Sequence, residues 1–254
     1  MFWGVILLGI VAALFLLLNL FTPEIASRYL NFKTGFKTQI EEFSIGPFSQ
    51  RIDLENFEVR NPTNTFPDAD FLKVEQFILK THPSNLNPRK TIIIDEMIID
   101  VELLAYVQNT QGQVNFDAFI APFHKQQSTT EETEETEETK RSSFLIRRLV
   151  VRIDTIKKVD YASGSLQVQN FNVGIDREYQ DVQNLSVVFQ PLIRDLEPLG
   201  ASFVMDSLAR ALMDPETYQR LSTSGGESVG EQSSGGFNEV TELIKAVLES
   251  LKKE

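Results

Sequence analysis

The chain offers few side chains that could perform catalysis, and they are scattered. Its two histidines, His82 and His124, precede a proline and an acidic low-complexity tract, and neither has a second metal ligand nearby in the sequence. Asp95, Glu96 and Asp100 share one segment with strand periodicity. Adjacent side chains on a strand point to opposite faces, so Asp95 and Glu96 do not form an acid–base pair. We therefore predict no catalytic residue and expect that the protein is not an enzyme.

A second set of candidate residues lies in "NPTNTFPDAD" (61–70), where several side chains carry oxygen atoms that could bind calcium. The spacing is not that of an EF-hand loop, and the same residue types, mixed with proline, are common in turns. We expect a turn here and predict no metal and no other cofactor. The four oxygen-bearing side chains of this segment are Asn61, Asn64, Asp68 and Asp70.

Composition narrows the class of protein. The chain has 254 residues, 42% of them hydrophobic, which is enough to build a sizeable core. Lys and Arg total 24 against 36 Asp and Glu, a formal charge of −12, which argues against nucleic acid as a partner. The absence of cysteine excludes disulfides and thiolate chemistry.

The elements that would position these residues begin with a hydrophobic segment. Residues 2–21 carry no charge and, as a helix, would extend about 30 Å, the thickness of the hydrocarbon core of a bilayer. We predict a transmembrane anchor over residues 1–22. A cleaved signal peptide is the alternative, but a basic n-region and a small-residue cleavage site are missing, and Pro23 and Glu24 follow directly.

Beyond the anchor, alternation of apolar and polar residues predicts a mainly β protein with flanking helices, built as an antiparallel sheet. Turn signals such as Gly46-Pro47 and "HPSNLNP" separate the strands. The predicted strands are 37–45, 51–60, 71–81, 90–107, 144–161, 164–176 and 182–190.

Other segments have helical or low-complexity patterns. A short helix is predicted from Pro23 until Gly35, and a helical stretch follows Pro191 with an interruption near Pro198. Residues 126–143 are acidic and repetitive and are expected to be a disordered loop, which divides a first β unit (23–125) from a second (144–221). A Gly/Ser linker (222–236) then leads to an amphipathic helix (237–254).

One phrase of the sequence occurs twice. "IDLENFEV" (52–59) and "LQVQNFNV" (166–173) both carry apolar residues at the first, third, sixth and eighth positions. The alternation slips by one residue at Asn56 and at Asn170, which predicts a β-bulge in each copy. The chain thus uses one kind of β unit twice, unless the match is a coincidence between short alternating strands.

The first 120 residues resemble the amino-terminal part of AsmA-like envelope proteins. The resemblance is carried by the anchor helix, by "IDLENFEVRNP" with Asn61-Pro62, and by "GQVNF" with Gly112, Asn115 and Phe116. It implies a single-pass inner-membrane anchor, a periplasmic body, and a curled sheet whose apolar concave face binds or conducts lipid. The basic residues after the span would by themselves favour a cytoplasmic body, but long domains translocate largely regardless of charge.

Two functions from different classes follow. In the first, membrane lipid lies against the apolar face of the sheet, as part of lipid transport in cell-envelope maintenance. In the second, the protein is an envelope scaffold whose sheet edge and residues 237–254 bind a protein partner, and the apolar face is a closed core. The residues predicted to line the lipid groove are Ile52, Leu54, Phe57, Val59, Ile98, Val168, Phe171 and Val173.

Overall fold

A computed structural model describes residues 23–46, 50–66, 68–82, 85, 91–124, 144–161, 165–213 and 218–219. The predicted anchor (1–22), acidic loop (126–143), linker (222–236) and terminal helix (237–254) lie outside the described residues. Within the described part of the chain, every helix is too short or too polar to cross a membrane.

The fold is mainly β, and seven strands form one sheet. The strands are β1 (Lys37–Gly46), β2 (Arg51–Arg60), β3 (Asp70–Lys80), β4 (Ile92–Ile94), β5 (Glu96–Gln108), β6 (Phe144–Asp160) and β7 (Gln167–Val182). From edge to edge the order is β1-β2-β3-β5-β6-β7. The short β4 pairs with the first residues of β6, and β5 pairs with the rest of that strand. The strand predicted over 90–107 is therefore two strands, interrupted at Asp95.

The sequence had predicted an antiparallel sheet, and this prediction is wrong for part of the sheet. β5 and β6 run parallel, and so do β4 and β6, while the other neighbours are antiparallel. After β5 the chain forms a helix and re-enters the sheet in the same direction, which requires a long crossover connection rather than a hairpin. The 35 residues between Gln108 and Phe144 supply that connection.

In the described part of the chain the helices that flank the sheet include α1 (residues 23–34), α2 (Asn115–His124), α3 (Ser186–Leu196) and α4 (Ser202–Leu212), with a 3-10 turn (Glu197–Leu199) between the last two. α1 ends before Gly35, whose φ is +76°, and the interruption predicted near Pro198 is confirmed. The strand predicted over 182–190 is wrong, because Ser186 already begins α3. Val188, Leu192 and Leu196 are buried at helical spacing, and this burial outweighs the strand preference of valine.

Five neighbouring strands carry an irregularity at about the same level of the sheet. In each of them one residue has no cross-strand partner in the register of the described strands. The side-chain alternation shifts by one residue there, so Val101 and Leu104, three apart, are both buried in the core, as are Ile153 and Ile156. Bulges of this kind bend strands and re-aim side chains. The five residues, all exposed, are Glu41, Asn56, Glu75, Glu102 and Asp154.

Most of the core lies between one face of the sheet and the helices, while Ala105 and Val107, which alternate with Tyr106 on β5, are fully buried on the other side. At one end, Phe71 packs against Phe36, Phe116 and Phe119 with ring centroids 5.3 Å away in each pair. Farther along, Phe203 of α4 contacts Tyr106 of β5 and Phe171 of β7. These contacts fix α2 and α4 on the same face, which we call the helix face.

Candidate functional site

The predicted groove residues separate into two groups in the structure. Val59 belongs to the buried core, and four of the half-buried predicted residues pack against it. Leu54 is on the same face, since it pairs with Phe77, which also packs against the core. The four residues that pack against the core are Ile52, Phe57, Phe171 and Val173.

The other two predicted groove residues lie elsewhere. Ile98 alternates with the core residues Met97 and Ile99, so it projects from the opposite face, in one row with Ile78 and Val150. Val168 is on the edge strand β7 and is 45% exposed. The structure therefore brings six of the eight predicted residues to the helix face and places Ile98 and Val168 outside it.

One part of the helix face is less covered than the rest. On β1 and β2, Ile40, Phe43 and Leu54 are half-buried and do not belong to the packed core, and Ile52 beside them is half-buried. Phe43 pairs directly with Leu54 across the strands. We call these four residues the apolar corner. They form an aliphatic and aromatic surface at the edge of the sheet nearest to the amino terminus, of the kind that binds hydrocarbon.

The opposite face is polar and covered by ion pairs. Glu96 of β5 accepts a hydrogen bond from Lys80 of β3 and another, at 2.5 Å, from Arg148 of β6. Arg148 also forms an ion pair with Glu178 of β7 at 2.9 Å. The hydrogen bond from Lys80, and next that from Arg148, lowers the pKa of Glu96 below its ordinary value, against the opposing effect of burial. On this face, charged rows thus flank the apolar row of Ile78, Ile98 and Val150.

The carboxylates of Asp95 and Asp100 also take part in ion pairs. Asp95 binds Arg147 at 3.1 Å, and Asp100 binds Arg152 at 3.2 Å. Among the described residues, no group of three or more acidic or histidine side chains is arranged to hold a metal ion.

The oxygen-rich segment 61–70 binds a side chain of the protein itself. The ammonium of Lys157 lies 2.8 Å from Asp68 and 2.9 Å from Asp70. Burial disfavours the charged ammonium, but hydrogen bonds to the two carboxylates outweigh burial and raise the pKa of Lys157. Asn61 donates to the carbonyls of Asp68 and Asp70 at 3.0 and 2.7 Å, so it acts as a turn residue.

The motif residues that carry the AsmA resemblance converge in space. Asn115 is fully buried and donates to Asn61 at 3.3 Å and to the carbonyl of Ala105 at 2.8 Å. Its side-chain oxygen accepts from the backbone N–H groups of Val107 and Phe116 at 3.0 and 3.1 Å. These asparagines join the two loops at one end of the sheet. Both are structural residues. In the sequence, Asn-Pro and Gly-x-x-Asn at strand ends indicate their positions.

No family model, no curated protein and no solved structure matches this chain. The described residues themselves form a sheet packed against helices, an apolar corner on its helix face, and two loops joined by buried asparagines.

Proposed function

We propose that the protein is a non-enzymatic, single-span inner-membrane protein of AsmA-like type, with its body in the periplasm. It binds lipid, or helps to transfer it, on the apolar face of a curled sheet. The observation that carries this proposal is the apolar corner, where Phe43, Leu54, Ile40 and Ile52 remain half-buried beside a fully packed core.

The dimensions of the sheet limit the proposal. Six strands side by side at about 4.8 Å span roughly 24 Å, which is less than the thickness of one bilayer with its headgroups. The sheet of one chain is therefore too narrow to connect two membranes. It suits a shorter task, which is to shelter the acyl chain of a lipid beside the membrane that holds the anchor.

The position of the corner supports uptake from that membrane. The predicted anchor leads directly into α1, and α1 leads into β1, the strand that carries Ile40 and Phe43. α1 has 12 residues and so extends about 18 Å. The apolar corner therefore begins a short distance along the chain from the bilayer.

The test uses photo-crosslinking in the full chain. A benzophenone amino acid replaces Leu54, and in a second protein it replaces Glu55, the next residue on the same strand, whose side chain points to the opposite face. Both proteins are irradiated in bacterial membranes and purified, and the adducts are identified by mass spectrometry. We expect a phospholipid or other amphiphile on the probe at position 54 and much less at position 55.

Two results would contradict the proposal. Equal labelling at both positions would indicate non-specific contact with the bilayer. A folded protein with no lipid at position 54 would mean that the apolar corner is closed by protein. Substituting aspartate for Phe57 and for Phe171, in a protein that still folds, should abolish the lipid adduct.

The scaffold function is the second candidate, and one observation favours it. β7 has 16 residues and pairs with β6 along one side, while no described residue pairs with its other side. A free edge can accept a strand from another chain. If a protein partner is captured only when residues 237–254 are present, and no lipid is found, the scaffold function is favoured.

A further inference from the structure

The two halves of β7 differ in the charge and backbone regularity of their free edge. Its second half carries Asp176, Arg177, Glu178 and Asp181, and Asp181 has a φ of +50°. Charges and local distortions are the devices by which proteins prevent edge strands from pairing with other chains. The second half of β7 is therefore protected.

The first half of β7 lacks that protection. From Tyr161 to Ile175 the sequence contains no charged residue and no proline. Residues 167–172 keep a regular antiparallel register with β6, and the bulge comes only after them. Leu166 and Val168 are 59% and 45% exposed along this edge, and they are two of the five large hydrophobic side chains that are exposed in the described part of the chain.

We infer that this half of β7 pairs with the same half of β7 in a second copy of the chain. An antiparallel pair centred on Gln169 places residues 165–173 of one copy opposite residues 173–165 of the other, with the pleats of the two strands in phase. No charged side chain then faces another charged side chain, since Asp176 lies beyond the paired segment. The pairing is isologous, so one surface per chain is enough to close the dimer.

The other edge of the sheet does not offer the same opportunity. β1 carries Glu41 and Glu42 in its middle, both exposed. Self-pairing of β1 would bring these carboxylates together, which is unfavourable. Pairing of β1 with β7 of another copy would leave a free edge at each end and would produce an open fibre rather than a closed dimer.

The dimer has a geometric consequence for a membrane-anchored chain. The two-fold axis of an antiparallel strand pair is perpendicular to the sheet, so the helix faces of both copies lie on the same side. Both anchors enter one membrane if the sheet lies roughly parallel to that membrane, with an anchor at each outer edge. The two apolar corners then belong to one continuous sheet of 12 strands, about 50 Å wide.

The absence of cysteine makes a direct test possible. The full chain with Gln169→Cys is treated in isolated membranes with a short bis-maleimide crosslinker, beside the full chain with Gln180→Cys. Both glutamines are exposed and both lie on β7. In the proposed dimer the two copies of residue 169 are adjacent, whereas the two copies of residue 180 are about 70 Å apart.

We expect a crosslinked homodimer for Gln169→Cys and at least tenfold less of it for Gln180→Cys. Adding Asn170→Lys to Gln169→Cys should abolish the crosslink, because it places two ammonium groups on one face beside the centre of the pair, each opposite Val168 of the other copy. Circular dichroism confirms that the fold is kept. The inference is overturned if Gln169→Cys stays monomeric, if both positions crosslink equally, or if residue 169 captures a different protein. It does not depend on lipid binding, which the probe at position 54 tests separately.

Discussion

Asn115 donates a hydrogen bond to Asn61 at 3.3 Å, and this contact joins two loops that are 54 residues apart in the sequence. Both side chains are buried, and each also binds backbone groups. Buried polar groups are costly unless they are fully hydrogen-bonded, so the pair holds the loops in one arrangement. Asn61 and Asn115 therefore serve the architecture of the sheet.

Replacing Asn115 with alanine should lower the free energy of unfolding by about 2–4 kcal/mol, because it leaves the N–H of Val107 and the carbonyl of Ala105 without their partner. Urea unfolding of the full chain in detergent, followed by far-ultraviolet circular dichroism, measures the change. Asn64→Ala, at an exposed position in the same loop as Asn61, should change it by less than about 0.5 kcal/mol.

A double-mutant cycle tests whether the two asparagines act together. The coupling between Asn61→Ala and Asn115→Ala should be about 0.5–1.5 kcal/mol. If the two changes are additive, the 3.3 Å contact does not contribute to stability.

Much of the sheet could be predicted from the sequence, and the reasons are local. Alternation between turn signals placed β2 at residues 51–60, as observed, and β1, β3 and β6 within one residue at each end. The direction of β6 relative to β5 depends on how a long connection returns, which local patterns do not encode. The contact between Asn61 and Asn115 is equally non-local, since it exists only after both loops meet at one end of the sheet.

The predicted bulges show where a pattern is insufficient. At Asn56 the prediction agrees with the structure, because φ is +51° and the residue has no partner in the register. At Asn170 it is wrong, because Asn170 pairs regularly with Lys157, and the irregularity comes later, near Gly174 with a φ of +55°. The same letters adopt two conformations because Asn56 lies at the level of the irregularity that the neighbouring strands share, whereas in β7 that level falls at Val173 and Gly174.

Valine at these two positions should therefore have different effects. Asn56→Val forces a β-branched residue into the left-handed region and should lower the free energy of unfolding by about 1–2 kcal/mol, while Asn56→Gly should not lower it. Asn170→Val, in regular strand geometry, should change it by less than about 0.5 kcal/mol. Urea unfolding measures all three variants, and equal losses for the two valine variants would contradict the conformational difference.

Two phenylalanines four residues apart, Phe32 and Phe36, differ strongly in burial. Phe36 is 2% exposed and contacts Phe71 and Phe119, whereas Phe32 on α1 is 92% exposed. Phe36→Ala should lower the free energy of unfolding by about 3–5 kcal/mol through lost burial and the cavity that remains. Phe32→Ala should change it by less than about 0.5 kcal/mol. A loss of similar size at Phe32 would mean that another part of the chain, or the membrane, covers it.

The ion pairs of the polar face should make stability depend on pH through Glu96. Its pKa in the folded protein is held below the ordinary value, first by Lys80 and then by Arg148. As the pH falls, the unfolded chain takes up this proton before the folded protein does, so the stabilisation is present above the ordinary pKa and is lost towards the lowered one. Glu96→Gln should be less stable than the wild type at neutral pH and should lose less stability on acidification. Urea midpoints from about pH 7 to about pH 3 measure this. Glu102→Gln, which removes an exposed carboxylate from the same strand, is the control for the loss of one negative charge. Parallel curves for Glu96→Gln and the wild type would show that Glu96 does not contribute.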